Sequence, residues 1–293
     1  MEYFLDNGDF VARIDSHGAE LKSVLNKNNY REYMWYGDGR FWGRTSPVLF
    51  PIVGGLKDKK YTYNGKEYPM GQHGFARDME FDLLNQSQDT ISFMLKSNEE
   101  TLAKYPFCFE LIITYTLKGC ELKVNWQVNN PGNDTMYFSI GAHPAFLCPI
   151  HGENSKAGYK LYFDGVEAIH HHGNTRDTGL ATMNEDIVLS LSEGKATITD
   201  DFFGRCTYMI EGNQTGLVGI EDKDGNRFVD VCFNTPLFAI WSPEEKNAPF
   251  VCIEPWYGRA DATDFNGTFS ERDYINSLDA GDSFNGGYSM KFY

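Results

Sequence analysis

The chain has 293 residues, 41% of them hydrophobic and 23% charged, and its 22 Phe, 17 Tyr and 5 Trp are typical of a folded protein rich in sheet-forming aromatic side chains. Its 26 basic and 41 acidic side chains give a formal net charge of −15, which disfavours nucleic acid and membrane partners because it repels phosphate backbones and anionic lipid. The sequence starts without a basic region followed by an apolar stretch, and no segment approaches bilayer-crossing length, so we expect a cytoplasmic protein.

The first hundred residues contain strand signals and one short helix signal. Asn64-Gly65 predicts a hairpin, because this dipeptide suits the type I′ turn that matches the twist of paired strands. Ser97-Asn98-Glu99-Glu100 has the form of a capping box, and Pro106 ends the helical segment after it. At most two turns of helix are expected there.

The clearest strand pair covers residues 109 to 129. Residues 109–117 read F-E-L-I-I-T-Y-T-L, a run rich in β-branched and aromatic side chains, and Lys118-Gly119 then supplies a turn. Residues 122–129 alternate apolar with polar side chains, which is the period of a half-buried strand. The side chains expected to face the core are Leu122, Val124, Trp126 and Val128.

The second half of the chain continues the β pattern. Residues 136–140 form another strand run, the segment 150–185 is looser, and Asp224-Gly225 predicts a further type I′ hairpin. Ser242-Pro243-Glu244-Glu245 resembles a second helix start. Because no linker, charge block or repeat divides the chain, we predict one all-β domain over residues 1–293, built from antiparallel sheets stacked ~10 Å apart and containing very little helix.

Cysteine and histidine spacing does not indicate a structural metal site. The six cysteines, at positions 108, 120, 148, 206, 232 and 252, lie far apart and never form C-x-x-C, so we expect reduced, mostly buried thiols. In His170-His171-His172 adjacent side chains of a strand would point to opposite faces, whereas structural zinc sites use spaced ligands.

The segment G-Q-H-G-F-A-R at residues 71–77 is the first candidate for ligand binding. Its glycines allow the backbone to approach a ligand closely, and His73 with Arg77 would donate hydrogen bonds to hydroxyl or phosphate oxygens. The alternative is a plain turn whose histidine faces solvent.

The segment S-I-G-A-H-P-A-F at residues 139–146 is the second candidate. Its His143 follows a strand run and is biased toward extended geometry by the next proline. Imidazole titrates near neutral pH, so His143 is a candidate general acid. A histidine among apolar neighbours is otherwise a satisfied core residue.

Residues 39–47, G-R-F-W-G-R-T-S-P, are the third candidate. Arg40 and Arg44 flank a Phe-Trp pair and could hold a polar ligand in bidentate fashion. Alternatively, Arg44 binds a carboxylate such as Glu254.

Glu254 lies in the fourth candidate, C-I-E-P-W-Y-G-R at residues 252–259. Its apolar neighbours would remove water from the charged carboxylate, and this desolvation raises the pKa toward the range of a general base. The alternative is a core-edge carboxylate paired with Arg259 or Arg44. Trp241, slightly earlier in the chain, could stack on the apolar face of a sugar ring or belong to the core.

These segments together resemble the aldose 1-epimerase (galactose mutarotase-like) family, most closely its LacX-type branch. G-R-T-S-P, G-Q-H-G-F-A-R, G-A-H-P-A-F and C-I-E-P-W-Y-G-R occur in the family's order and cover nearly the whole chain. No G-x-S-x-G motif, P-loop or dinucleotide-binding glycine motif competes with this interpretation. The resemblance implies a single large β-supersandwich, no cofactor, no metal, and interconversion of the α and β anomers of a free aldose.

The resemblance also implies roles for individual residues. Glu254 would be the general base and His143 the general acid, while His73 and Arg44 would position the sugar. Arg77 and Trp241 are further candidate sugar contacts. In such a reaction the base removes the proton of the C1 hydroxyl while the acid protonates the ring oxygen, so the ring opens without a free alkoxide.

One segment departs from the family pattern and leaves the substrate open. Arg205-Cys206, within residues 201–207, stands where many relatives carry a sugar-binding aspartate. Arg77 and Arg205 leave room for a hexose 6-phosphate, which is the second candidate substrate. A non-catalytic carbohydrate-binding protein and a purely structural β module are alternatives from other classes. We expect a monomer or weak homodimer.

Overall fold

The computed structural model describes residues 1–243 and 246–293. Within them the strands are β1 Glu2–Asp6, β2 Phe10–Asp15, β3 Glu20–Asn26, β4 Arg31–Glu32, β5 Val48–Leu49, β6 Lys60–Tyr63, β7 Lys66–Pro69, β8 Asp82–Gln86, β9 Thr90–Lys96, β10 Glu110–Lys118, β11 Glu121–Asn129, β12 Met136–Phe138, β13 Ile140–Ala142, β14 Ala145–Leu147, β15 Lys160–Phe163, β16 Ala168–Asn174, β17 Ala181–Ser190, β18 Lys195–Thr197, β19 Tyr208–Glu211, β20 Leu217–Glu221, β21 Arg227–Phe233, β22 Leu237–Trp241, β23 Phe250–Tyr257, β24 Asn276–Leu278 and β25 Ser283–Phe292.

Helical structure is confined to short segments of the described residues. The α-helix α1 spans Glu99–Lys104, and 3₁₀ turns lie at Lys57–Lys59, Ala76–Asp78 and Phe269–Glu271. None of these helices has the length and apolar character needed to span a membrane.

Two large sheets account for most of the strands. One has nine strands in the order β18-β15-β20-β21-β25-β11-β10-β9-β8, and the other has β17-β16-β19-β22-β23-β13-β5 with β14 also paired to β23. Pairing is antiparallel throughout both. A smaller sheet, β1-β2-β3-β4, packs its buried side chains into the same core. The predicted all-β antiparallel fold with little helix is therefore confirmed.

The best-supported sequence predictions are the hairpins of the first half. β10 and β11 pair along their full length, and Leu122, Val124, Trp126 and Val128 are all buried as expected. Asn64-Gly65 joins β6 to β7 with both residues at positive φ, as a type I′ turn requires. Alternation and turn chemistry act locally, which is why they are readable without tertiary information.

Two local details differ from the sequence-based expectations, and a third was not tested. Asp224-Gly225 lies in a five-residue connection rather than a two-residue turn, and in it the Asp222 side chain accepts the backbone N–H groups of Asp224 and Asn226. The helix cap is Asn98 rather than Ser97, with Thr101 as its reciprocal partner. The second helix start at residues 242–245 extends outside the described residues.

The thiols are less buried than expected. All six cysteines are free, but only Cys148 and Cys252 are buried, while Cys108 is exposed and the other three are intermediate. Free cysteine has a weak donor and a small apolar surface, so partial exposure at strand edges carries little cost.

One main cluster of buried apolar side chains extends from Leu5 to Phe292. It takes residues from both large sheets and from the four-stranded sheet, which supports our proposal of a single domain. Along β23, Val251 and Ile253 point into this cluster, whereas Cys252 and Trp256 belong to separate small clusters. The two-residue period of a strand thus gives β23 one face for the core and one face for a site.

Candidate active site

A cavity of about 640 Å³ opens beside β23. Its deep part is formed by buried Glu254, His143 and His73, and exposed Lys59 and Arg176 lie among the residues at its mouth. A volume of this size lies within the range of small-molecule sites.

Glu254 lies on the cavity-facing side of β23 and is only 1% exposed. The flanking Ile253 points away from it into the main core, so the wall beside the carboxylate includes Trp256, two residues along on the same face. Burial raises the pKa of Glu254 well above its usual range. The side chain therefore favours its protonated form until a partner or substrate stabilises the charge.

The ion pairs that would have made Glu254 structural are absent from the described residues. Arg259 pairs with Glu211 and Asp273, and Arg44 pairs with Asp78 at 2.7 Å. Both oxygens of Glu254 lack a hydrogen bond within that part of the chain. The alternative in which Glu254 pairs with Arg259 or Arg44 is therefore wrong, since both arginines pair with other carboxylates.

His143 follows β13 and faces Glu254 directly. The Nε2 atom of His143 lies 3.2 Å from Oε2 of Glu254. The imidazole stacks on Trp42, with ring centroids 4.6 Å apart, and meets the edge of Trp241 at 5.3 Å. Burial, and next the positive charge of Arg77, lower the pKa of His143. Both groups therefore disfavour their charged forms, so the carboxyl group of Glu254 keeps its proton and the imidazole of His143 stays neutral.

His73 has its tautomer fixed by the backbone of Gly54. The backbone N–H of His73 donates to the Gly54 carbonyl at 2.9 Å, and the Gly54 N–H donates to Nδ1 of His73 at 3.1 Å. Because Nδ1 accepts, the ring proton must be on Nε2. Burial and the neighbouring His143 lower the pKa of His73 well below its usual range. His73 is therefore a neutral hydrogen-bond donor.

The glycine after His73 holds this geometry in place. Gly74 has φ of +71°, and a Cβ added there would lie 2.2 Å from the carbonyl oxygen of Phe50. His73 itself has φ of +65°, an uncommon conformation for a non-glycine residue. The G-Q-H-G segment is therefore a tight turn, but its histidine is buried in the cavity rather than facing solvent.

The arginines predicted as sugar contacts differ in position. Arg77 lines the cavity and donates to the carbonyl of Gln72 at 2.7 Å, and burial lowers its pKa to about 10. Arg44 is held by Asp78 and does not line the cavity. Arg40 pairs with Asp38 and is largely exposed. The expected arginine clamp around Phe41 and Trp42 is not formed.

Several cavity residues were not predicted from the sequence. Trp42 was noted only as a neighbour of arginines, although its position in an aromatic pair was a signal for stacking. Lys59 and Arg176 stand in ordinary loop sequence and offered no signal. Only the fold brings these residues to one opening.

The segment at residues 201–207, which departs from the family pattern, lines the cavity through Thr207 and not through Arg205 or Cys206. Arg205 does not line the cavity, and Cys206 packs so closely on Gly173 that a Cβ there would lie 2.9 Å from the sulfur. Thr207 does line the cavity, and its N–H donates to Oδ1 of Asn174 at 2.7 Å. Polar uncharged groups thus occupy this wall.

Potential metal ligands converge at one place in the described residues. His143, Cys252 and Glu254 have ligand atoms within 4.8 Å of one another, and all three are buried. The His170–His172 run is not part of this group, and His170 instead contacts Asp186 at 2.9 Å.

The chain is similar along most of its length to proteins of one family. A family model described as aldose 1-epimerase matches residues 1–271. The chain is 30% identical over 261 residues to the plasmid form of protein LacX of Lactococcus lactis subsp. lactis, with 87% of each chain covered. A galactose mutarotase related enzyme from Lactobacillus acidophilus superposes with a TM-score of 0.93 at 36% identity, covering 100% of this chain and 97% of that one.

A second solved structure gives the same result. A galactose mutarotase-like protein from Lactobacillus casei ATCC 334 has a TM-score of 0.92 and 29% identity, with both chains covered in full. The galactose mutarotase-like fold predicted from the motifs is confirmed. From the family match, the LacX relative and these structures, the chain belongs to the aldose 1-epimerase family.

Proposed function

We propose that this protein is a mutarotase that interconverts the α and β anomers of a free aldohexose. The observation that carries the proposal is the 3.2 Å contact between His143 and Glu254 in the cavity. These residues are over a hundred positions apart in sequence and nearly inaccessible to solvent. Membership of a sugar epimerase family supports the same reaction class.

The proposed reaction uses one proton acceptor and one proton donor. Transfer of the carboxyl proton from Glu254 to His143 gives a carboxylate and an imidazolium. The carboxylate takes the proton of the C1 hydroxyl while Nε2 of His143 gives its proton to the ring oxygen. The bond from C1 to the ring oxygen breaks, and an open-chain aldehyde results. Rotation about the C1–C2 bond and the reverse transfers give the other anomer.

The remaining cavity residues would orient the sugar. His73 offers an Nε2–H to a sugar oxygen at any pH where the protein is folded and the ring neutral. Trp241 offers an apolar surface next to the acid, and Arg77 offers a guanidinium whose Nε has no hydrogen bond in the described residues. Arg44 remains a proposed contributor only through its charge, since Asp78 holds its side chain.

Polarimetry on freshly dissolved α-D-glucose and α-D-galactose tests the activity. We expect the protein to accelerate the approach to anomeric equilibrium in proportion to its concentration, above the spontaneous rate in the same buffer. Absence of acceleration, combined with sugar binding by calorimetry, would instead support a carbohydrate-binding protein on this fold. A chain that neither binds nor is thermally stabilised by any sugar of a panel would be a structural module.

The pH dependence of kcat/KM gives a second test. Burial and Arg77 lower the pKa of His143, so the pair gains a second proton only below the ordinary histidine range. Burial raises the pKa of Glu254, so its carboxyl proton is lost only at a pH well above the ordinary carboxyl range. We expect kcat/KM to be level between ~pH 6 and ~pH 8 and to fall on the acid side below that. If kcat/KM instead fell with a midpoint near pH 6.5, the site would not be lowering the pKa of His143.

A hexose 6-phosphate is the second candidate substrate, and one observation favours it. Lys59, Arg77 and Arg176 all line the cavity of a chain whose net charge is −15. The exposed carboxylate of Asp177 also lines this cavity, but the three cations outnumber it, which suits a phosphate. Exchange NMR on glucose, galactose and their 6-phosphates, measured side by side, separates the two substrates. If only the phosphates respond, this candidate replaces the free aldose.

A further inference from the structure

Cys252 stands directly beside the proposed catalytic pair but has no part in the proton transfers. It lies two residues before Glu254 on β23, so both side chains project from the same face of the sheet. The sulfur is fully buried and is a free thiol. Its ligand atom, one nitrogen of His143 and one oxygen of Glu254 lie within 4.8 Å of one another.

The three side chains have unused coordinating capacity. Neither oxygen of Glu254 has a hydrogen bond in the described residues, and Nδ1 of His143 is also without one there. Glu254 is 1% exposed and His143 is 7% exposed, so these are deeply buried polar groups without the partners that such groups normally have. An ion bound to Nε2 of His143 and to Glu254 would supply the partner that the carboxyl group lacks.

The spacing suits a small tetrahedral cation. Zinc bonds of ~2.0 to ~2.3 Å to nitrogen, oxygen and sulfur place ligand atoms ~3.4 to ~3.6 Å apart in a tetrahedron. The contact between His143 and Glu254 is 3.2 Å, and the widest separation in the group is no more than 4.8 Å. Side-chain movements of about 1 Å would bring the three ligand atoms to the separations of a tetrahedral zinc site. The cavity would give solvent or a ligand access to the fourth coordination position.

We infer that His143, Cys252 and Glu254 form a binding site for Zn²⁺ or a similar thiophilic divalent cation. A carboxylate, an imidazole and a thiolate are ligands that zinc accepts, and the thiolate disfavours Mg²⁺ and Ca²⁺. Binding replaces the protons of the thiol and of the carboxyl–imidazole pair, so two protons leave for each ion bound.

This site goes beyond the proposed mutarotation, and its test does not depend on that activity. Co²⁺ is added to the reduced full chain, and the near-ultraviolet sulfur-to-cobalt charge-transfer band and the visible bands of tetrahedral Co²⁺ are recorded. Zn²⁺ is then added to displace the Co²⁺, which gives the zinc affinity by competition. We expect saturation at one ion per chain, with both sets of bands present.

The matched variants are Cys252→Ala and Cys148→Ala, because both thiols are fully buried and only the first belongs to the group. We expect Cys252→Ala to lose the sulfur band and at least ~10- to ~100-fold of zinc affinity, the range that even outer-shell changes cause. Cys148→Ala should keep both the sulfur-to-cobalt band and the wild-type zinc affinity. Circular dichroism confirms folding, and Cys252→Ser replaces Cys252→Ala if the smaller residue destabilises the core.

Two results would overturn the inference. One is the absence of a sulfur-to-cobalt band in the folded wild-type chain at saturating Co²⁺. The other is equal zinc affinity in wild type and Cys252→Ala, which would place the ion elsewhere, for example at the exposed pair of His170 and Asp186. Calorimetry in buffers of different ionisation enthalpy should also show release of about two protons per Zn²⁺ at neutral pH.

Discussion

Glu254→Gln should reduce the enzymatic rate of anomerisation by ~10²- to ~10⁴-fold, the usual contribution of a positioned acid or base. The amide has nearly the shape of the carboxyl group but cannot accept the C1 proton. Polarimetry on α-D-glucose or α-D-galactose measures the loss, with the spontaneous rate subtracted. Because the carboxylate of Glu254 has no hydrogen bond in the described residues, the substitution breaks no such contact.

Glu254→Gln should not lower the free energy of unfolding. A structural carboxyl group would be expected to lose stability on this change, so the measurement separates a catalytic from a structural role. Burial raises the pKa of Glu254, so between the unfolded pKa and the folded pKa the native state binds more protons than the unfolded state. The wild-type free energy of unfolding therefore falls as pH rises through that window. Glutamine does not titrate, so the variant should become the more stable of the two as pH increases from ~4 to ~7. Denaturant melts at several pH values measure the difference.

Glu110→Gln is the matched control for Glu254→Gln. Glu110 lies on β10 in the other large sheet, where it contacts Lys96 at 2.9 Å. This change should leave anomerisation within about twofold of wild type, since the ion pair is on the surface. Wild-type turnover by Glu254→Gln would remove Glu254 from the mechanism. A large loss of stability in that variant would return it to a structural role.

His143→Asn should also reduce turnover by ~10²- to ~10⁴-fold, because asparagine cannot give a proton to the ring oxygen. We expect the loss mainly in kcat, since Trp241, His73 and Arg77 still line the cavity. Saturation polarimetry separates kcat from KM, and calorimetry with the sugar checks that binding persists. Some stability will be lost, since the imidazole stacks on Trp42 and meets Trp241 edge-on.

His151→Asn is the control for the histidine change. Its imidazole is 45% exposed and contacts Asp222 at 3.2 Å, and it does not line the cavity. Its removal should leave the rate unchanged. Retention of more than about a third of wild-type kcat by His143→Asn would mean that another group protonates the ring oxygen.

Burial of Glu254 and His143 sets the charge state of the pair before and during the proposed reaction. A carboxyl group and an imidazole in contact at 3.2 Å, both shielded from water, each disfavour their charged forms. The pair is neutral in the empty cavity and becomes charged by one internal proton transfer. A sugar that supplies oxygen partners for both groups would favour the charged form and thereby prepare the reaction.

Local pattern was enough to predict the strands and several site residues. Alternation predicted which face of β11 is buried, and Asn64-Gly65 predicted its turn type, because both depend on neighbouring residues only. The motifs predicted Glu254, His143, His73, Arg77 and Trp241 as candidates, and all five line one cavity. For Arg44 the same motifs gave no warning that Asp78, more than thirty residues later, would hold its side chain.

The β class, the main hairpins and the chemical types available to the site could be read from the amino-acid order alone. The meeting of these groups could not, because residues 143 and 254 are joined by no local period and come together through the pairing of β13 and β14 with β23. The same pairing directs Ile253 into the core and places Cys252 beside Glu254 and His143, and loop packing stacks Trp42 on His143. Electrostatic environment depends on burial by distant segments, so the sequence indicated the raised pKa of Glu254 but not the lowered pKa values of His143 and His73.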